Sequence, residues 1–163
     1  MLSRREFSRQ ELASRLRPYA VAGEDANADA AADHPGAPVT LETLLDDLAE
    51  RGWLSDARYA EAVVRKRSGQ YARRSIAQAL KRAGVDAEVT ESALVQNLPD
   101  PQADPDAEFA DALALCQRKF RKPPIEEKEK ARQIRFLQSR GYGFGVALRV
   151  IKQLALATDE EVC

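Results

Sequence analysis

Apolar residues recur along this chain at spacings of three and four and almost nowhere alternate, so its elements read as α-helices and its fold as all-α. Ser8 with Glu11 three residues on, ahead of Leu12 and Leu16, forms a capping-box signature for a helix expected to fade between Pro18 and Ala22. Thr40 caps the next, whose stripe is Leu41, Leu44, Leu45 and Leu48, with Gly52 as a left-handed stop before Trp53. Ser55 or Asp56 caps a third helix, with Tyr59 and Val63 inward beside Ala60 and Val64, and Gly69 at its end. A fourth carries Arg73, Arg74, Ile76, Leu80, Lys81 and Arg82 to a stop at Gly84, and Asp86 caps a fifth with Val89, Ala93 and Leu94 inward.

Pro99, Pro101 and Pro105 bracket an acidic linker. Beyond it Phe109, Leu113, Cys116 and Phe120 form one amphipathic stripe before Pro123 and Pro124. A charged helix over 125–140 turns Ile134 and Leu137 inward, Gly141 and Gly143 stop it, and a last helix over 146–156 centres on Val150, Ile151 and Leu154, for about nine helices in all. Residues 8–20 align without gaps on 72–84, pairing Arg9 with Arg73, Leu12 with Ile76 and Leu16 with Leu80; Leu137 and Gly141 fall on Leu80 and Gly84. Three tandem three-helix repeats follow, and such repeats stack into an elongated, curved array. The expected division is a first repeat over 1–53, interrupted by an apolar-poor insertion over 21–39, a second over 54–98, a linker over 99–105, a third over 106–157 and a tail over 158–163.

Charge follows the same blocks. Residues 1–20 hold 5 basic against 2 acidic residues, 51–85 hold 9 against 2 and 118–152 hold 11 against 3, while the segments between are acidic. Alternation at this length implies segregated faces, some suited to a phosphate backbone. The formal net charge of -1 weighs against a dedicated DNA binder.

Motifs for catalysis are missing: no GxxxxGK[ST], no GxGxxG after a strand, no HExxH and no GxSxG. Adjacent carboxylates such as Asp46 and Asp47, Glu126 and Glu127, or Glu160 and Glu161 diverge by about 100° on a helix and read as solvated surface. The glycine run at 141–145 reads as an interhelical turn, and His34 has no partner at ligand spacing. The expectation is a non-enzyme with no cofactor and no metal. Charge interrupts every apolar stretch well short of a membrane span and no signal peptide opens the chain, so a cytoplasmic location is expected, with Cys116 and Cys163 as reduced thiols.

One stretch is more specific: Gly52-Trp53-Leu54-Ser55-Asp56-Ala57-Arg58-Tyr59-Ala60, then Arg65, Gly69, Arg73-Arg74-Ser75-Ile76, Leu80 and Gly84. With Leu2-Ser3-Arg4-Arg5-Glu6 and the following Ser8, Glu11 and Leu12, this resembles the bacterial RecX regulatory family over most of residues 2–155. The family pattern carries a further helical turn or more ahead of that first element, which implies a shortened first helix here, and it lacks the 21–39 insertion.

The resemblance implies a monomeric regulator in DNA recombination, DNA repair and the SOS response, binding the RecA recombinase filament on DNA and inhibiting its ATPase, strand-exchange and coprotease activities. DNA would be met weakly or through the filament, and no membrane is involved. The residues expected to touch DNA phosphate or acidic filament surface are Arg65, Lys66, Arg67, Arg73, Arg74, Lys81, Arg82, Arg118, Lys119, Arg121 and Lys122. The motif residues read as structural: Trp53 as a core plug between repeats, Asp56 as a cap, Arg58 as the partner of an acidic neighbour on the adjacent helix, with Gly52, Ser55, Tyr59, Gly69, Ile76, Leu80 and Gly84 as caps, stops and core. Two other readings stay open, a helical regulator acting on DNA without a recombinase and a helical adaptor for another protein.

Overall fold

The computed structural model describes residues 5–26, 40–99, 104, 106–120 and 122–160, with the backbone alone described for 21–26 and 157–160. All regular structure among them is helical: α1 (Arg9–Ala26), α2 (Leu41–Glu50), α3 (Asp56–Arg67), α4 (Arg73–Arg82), α5 (Ala87–Asn97), α6 (Ala107–Lys119), α7 (Glu127–Ser139) and α8 (Phe144–Glu160). That is eight helices among the described residues against about nine expected, since the first copy contributes two. Backbone contacts divide the chain into unit 1, Met1–Ala62 with Leu80–Ala93, and unit 2, Val63–Ala79 with Leu94–Cys163.

In unit 1, Phe7, Leu12, Leu45 and Leu54 form the buried cluster, flanked by Ala13, Leu16, Leu41 and Leu48. Of the expected α2 stripe only Leu45 is fully buried. Ser8 begins α1 as expected, its Oγ accepting from the Glu11 amide at 3.1 Å, and the same hydroxyl donates to the Ala83 carbonyl at 2.6 Å. Arg9 ties α1 to α2 through Glu42 at 2.9 Å and Asp46 at 2.7 Å, and the hydrogen bond to Glu42, more than any other contact, raises its pKa above the ordinary guanidinium value. α1 does not fade at Pro18–Ala22 but runs to Ala26. Ala20 holds the place that Gly84 and Gly141 hold in the repeat alignment, and alanine sustains helix where those glycines turn left-handed. The 21–39 insertion lies outside the described residues beyond the backbone of 21–26, as do His34, Arg121 and Cys163.

In unit 2, α6, α7 and α8 pack on one another. Their shared core holds Ala112, Leu115, Cys116, Leu137, Tyr142, Ala147, Val150 and Ile151. Phe109, Leu113 and Phe120 pack at its edge, so the centre of the α6 stripe lies one register away from the expected line, with only Cys116 common to both. The Cys116 thiol donates to Gln133 Oε1 at 3.4 Å, and burial pushes its pKa up to about 11. α7 begins at Glu127 rather than 125 because Glu126 and Glu129 close a capping box there, leaving Ile125 exposed. α8 begins at Phe144, two residues before the expected start. The Ala72 amide donates to the Arg140 carbonyl at 3.0 Å. A Cβ on Gly141 would lie 2.6 Å from Ser75 Cβ, a close approach that glycine permits.

Three helices end alike. After α2 the Gly52 amide donates to the Ala49 carbonyl and Trp53 to Leu48; after α4, Gly84 to Lys81 and Val85 to Leu80; after α7, Gly141 to Gln138 and Tyr142 to Leu137. Each pair is a Schellman motif around a glycine of positive φ, +72°, +76° and +96° in turn. Gly69, φ +65°, turns the chain after α3.

Candidate nucleic-acid interface

Two of the family-motif readings need correction. Trp53 is no core plug: it is 61% exposed, and the next residue, Leu54, takes the buried place. Trp53 stands at the edge of an apolar groove, whereas Val85 and Tyr142, which follow the equivalent glycines, are buried. Asp56 does not cap its own helix. Ser55 does that, accepting from the Arg58 amide at 3.3 Å, while Asp56 Oδ1 accepts from the Arg9 amide at 2.8 Å and so caps the first turn of α1. Arg58 pairs with an acidic neighbour, Glu6 at 3.2 Å, on the segment ahead of α1 rather than on a helix, and it also donates to the Gly52 carbonyl at 2.7 Å. Along α3 Ala60 and Val64 are fully buried and Tyr59 and Val63 half-buried, the reverse of the expected order. Ile76 and Leu80 are fully buried, as expected.

The basic residues sort by environment. Lys81 and Arg82 are exposed in the last turn of α4 and belong to unit 1. The rest of the described candidates belong to unit 2. Arg65, Lys66, Arg74 and Lys122 are exposed. Arg73 is half-buried, with Nη1 3.5 Å from the Leu94 carbonyl near the end of α5, where a cation meets the helix dipole.

Arg118 and Lys119 meet at a shallow cleft lined also by Gln70, Leu115, Phe136 and Arg140. Arg118 donates to the Gly69 carbonyl at 3.0 Å, holding the turn after α3. The Arg67 guanidinium lies 5.3 Å from the centre of the Tyr71 ring, and Arg140 lies 4.7 Å from the same ring and 5.3 Å from that of Phe136. Phe136 meets Phe120 edge to face at 5.3 Å, and Arg132 stands 5.8 Å from Phe120. Ring faces thus hold three guanidiniums in place, and none of the described residues lining the cleft is acidic.

Cations fixed on aromatic faces suit a ligand with spaced negative charge and flat apolar groups, the chemistry of a nucleic-acid strand. Arg140, Tyr71 and Arg132 were not among the expected contacts. The sequence signal for Arg140 was its place as the last residue before Gly141, where a helix ends and a side chain can fold back over the preceding turn.

Two family profiles match the chain: "RecX, second three-helix domain" over residues 55–94 and "RecX, third three-helix domain" over 106–151. The regulatory protein RecX of Ralstonia nicotianae is 35% identical over 159 residues, covering 98% of this chain and 86% of that protein. That of Neisseria gonorrhoeae is 32% identical over 163 residues, covering 100% and 92%. The crystal structure of RecX from Lactobacillus salivarius shares the fold with a TM-score of 0.56 at 18% identity, over 95% of this chain and 90% of that one.

Proposed function

Because the chain belongs to the RecX family of regulatory proteins, we propose that it binds the RecA recombinase filament on DNA and inhibits its ATPase, strand-exchange and coprotease activities without chemistry of its own. The observation that carries the reading is the cleft of unit 2, lined by Arg118, Lys119, Arg140 and Phe136, beside which Arg67 and Arg140 share the Tyr71 ring. In this reading the cleft grips phosphate or acidic filament surface, and the bound chain occupies the filament groove and blocks closure or extension of its subunits. The exposed Arg65, Lys66, Arg74 and Lys122 add contacts, with Lys81 and Arg82 doing so from unit 1. The partition into repeats 1–53, 54–98 and 106–157, the monomeric state and the cytoplasmic location belong to the same proposal. Among the described residues no helix is long and apolar enough to cross a membrane.

The test is the single-stranded-DNA-dependent ATPase rate of RecA as this protein is titrated up to equal stoichiometry. Inhibition below that ratio is expected, weakened by the double reversal Arg74→Glu and Lys119→Glu with helical content unchanged. Arg73 is a poorer choice, since its guanidinium also serves α5. No inhibition at equal stoichiometry by the folded protein would overturn the reading. The ring-held arginines also favour a second one, direct regulation on DNA without a recombinase, whose signature is tight, steeply salt-dependent DNA binding with the ATPase untouched.

A further inference from the structure

Two of the side chains that line the unit 2 cleft also fasten the fold around it. Residues 68–72 join α3 to α4, and three contacts tie this segment to α6 and to the end of α7. Arg118 Nη2 donates to the Gly69 carbonyl at 3.0 Å, and the Ala72 amide donates to the Arg140 carbonyl at 3.0 Å. The Arg140 guanidinium lies 4.7 Å from the centre of the Tyr71 ring.

Neither guanidinium is used up by these contacts. The group carries five N–H donors in a flat fork. Arg118 uses one nitrogen on Gly69, and Arg140 meets the rings of Tyr71 and Phe136 by cation–π contact, so donors of both remain for a ligand. Among the described residues neither these two nor Lys119 stands in an ion pair. The nearest carboxylate along α6, that of Asp111, belongs two turns before Arg118, about 10 Å back along the axis.

Such a cluster suits an anion, and size selects among anions. The cleft holds about 180 Å³, below the roughly 300–1,000 Å³ of a site that encloses a small molecule and too little to seat a helix about 10 Å across. One phosphodiester group of a strand fits, its charge at Arg118 and Lys119 and the neighbouring base against the Phe136 ring.

Resting on the reading of this cleft as a phosphate site, we propose that it works as a ligand-operated clasp: the phosphodiester that engages Arg118, Lys119 and Arg140 locks residues 68–72 onto α6 and α7. Arg118 is exposed, and an exposed arginine held by one carbonyl gives up much rotamer freedom for a weak bond. A phosphate that fixes the same side chain removes part of that cost, so ligand and clasp strengthen each other reciprocally. Arg140 acts likewise, with Tyr71 against its guanidinium and Ala72 on its carbonyl. Residues 68–72 lie in the second matched domain and α6 and α7 in the third, so a bound strand sets how firmly the two are joined.

The Ala72 amide reports the clasp, since its acceptor is the Arg140 carbonyl. Its hydrogen exchange is followed by NMR in the full chain, without recombinase, in saturating short oligothymidylate or in inorganic phosphate, against chloride at matched ionic strength. The oligonucleotide is expected to slow exchange at Ala72 at least about fivefold. Val150, in the shared core on α8, should slow much less. Arg118→Lys keeps the charge but not the fork, so it should still bind the oligonucleotide while losing most of the protection at Ala72. Failure of the oligonucleotide to bind, or unchanged exchange at Ala72 in the saturated complex, would overturn the proposal. Equal slowing at Val150 would do so too, as would full protection in Arg118→Lys. Protection by inorganic phosphate with none by the oligonucleotide would assign the cleft to a free anion and remove the strand as ligand. No readout involves RecA: inhibition of the ATPase with Ala72 unaffected sinks the clasp alone, and slowed exchange without inhibition sinks the proposed function alone.

Discussion

Ser8 shows how much one small side chain carries here. Its hydroxyl accepts the Glu11 amide and donates to the Ala83 carbonyl, and it is fully buried. Ser8→Ala removes a cap and leaves a half-buried carbonyl short of a donor, an expected cost of about 2 kcal/mol in urea unfolding followed by circular dichroism. Only half of that role was legible: Glu11 three residues on marks a cap, whereas the bond to Ala83 joins residues 75 apart. Asp56 failed the same way, since a carboxylate beside a helix start reads as its own cap, and only tertiary structure puts the Arg9 amide in reach. Cys116 gives a prediction with a sign. Burial holds its thiol neutral up to about 11, while in the unfolded chain it ionises near 9.0. Above that lower value the unfolded state binds fewer protons than the native state, so stability should fall as pH rises from 9.0 to about 11. Thermal melts across that window should show a shallower decline for Cys116→Ala.

Helix ends marked by a glycine were the most legible feature, because a glycine directly after an apolar-periodic run is the chemical requirement of a Schellman turn. Gly52, Gly84 and Gly141 all met it. What the pattern does not tell is how crowded each turn is. Around Gly69 a Cβ would find open space, so Gly69→Ala should cost only the left-handed strain, about 1 kcal/mol. Gly141→Ala must also displace Ser75 and should cost about 2 kcal/mol more. Gly84→Ala would collide with Gln10, whose Cβ would lie 2.7 Å away and cannot swing aside, and should cost about as much as Gly141→Ala. Chemical denaturation of the three variants sets Gly69→Ala apart from the other two, and equal losses in all three would contradict this account. Depth within a helix was less legible: Ala112 and Leu115, not Phe109 and Phe120, hold the centre of α6, because residues as small as alanine let helices approach closely.

At the scale of the whole chain, charge blocks marked which segments are basic but not which cations are free to bind. Arg73 and Arg118 hold backbone carbonyls, while Lys119 sits exposed at the cleft. Binding to single-stranded DNA should weaken with added salt, and Lys119→Glu should lower the slope of log affinity against log salt by roughly 1. The repeats were legible as a succession along the chain, whereas contacts sort the same residues differently: 63–79 pack with 94–163, and 80–93 pack with 1–62. This interlacing governs the order of events during synthesis. When residue 62 has left the ribosome, unit 1 still awaits the Ala83 carbonyl that Ser8 needs. Residues 63–79 wait longer still, since Ala72 finds its acceptor only once Arg140 emerges. A nascent chain held by a C-terminal spacer so that residue 98 has left the ribosome should therefore remain sensitive to protease between 63 and 79, and that sensitivity should vanish on release of the full chain.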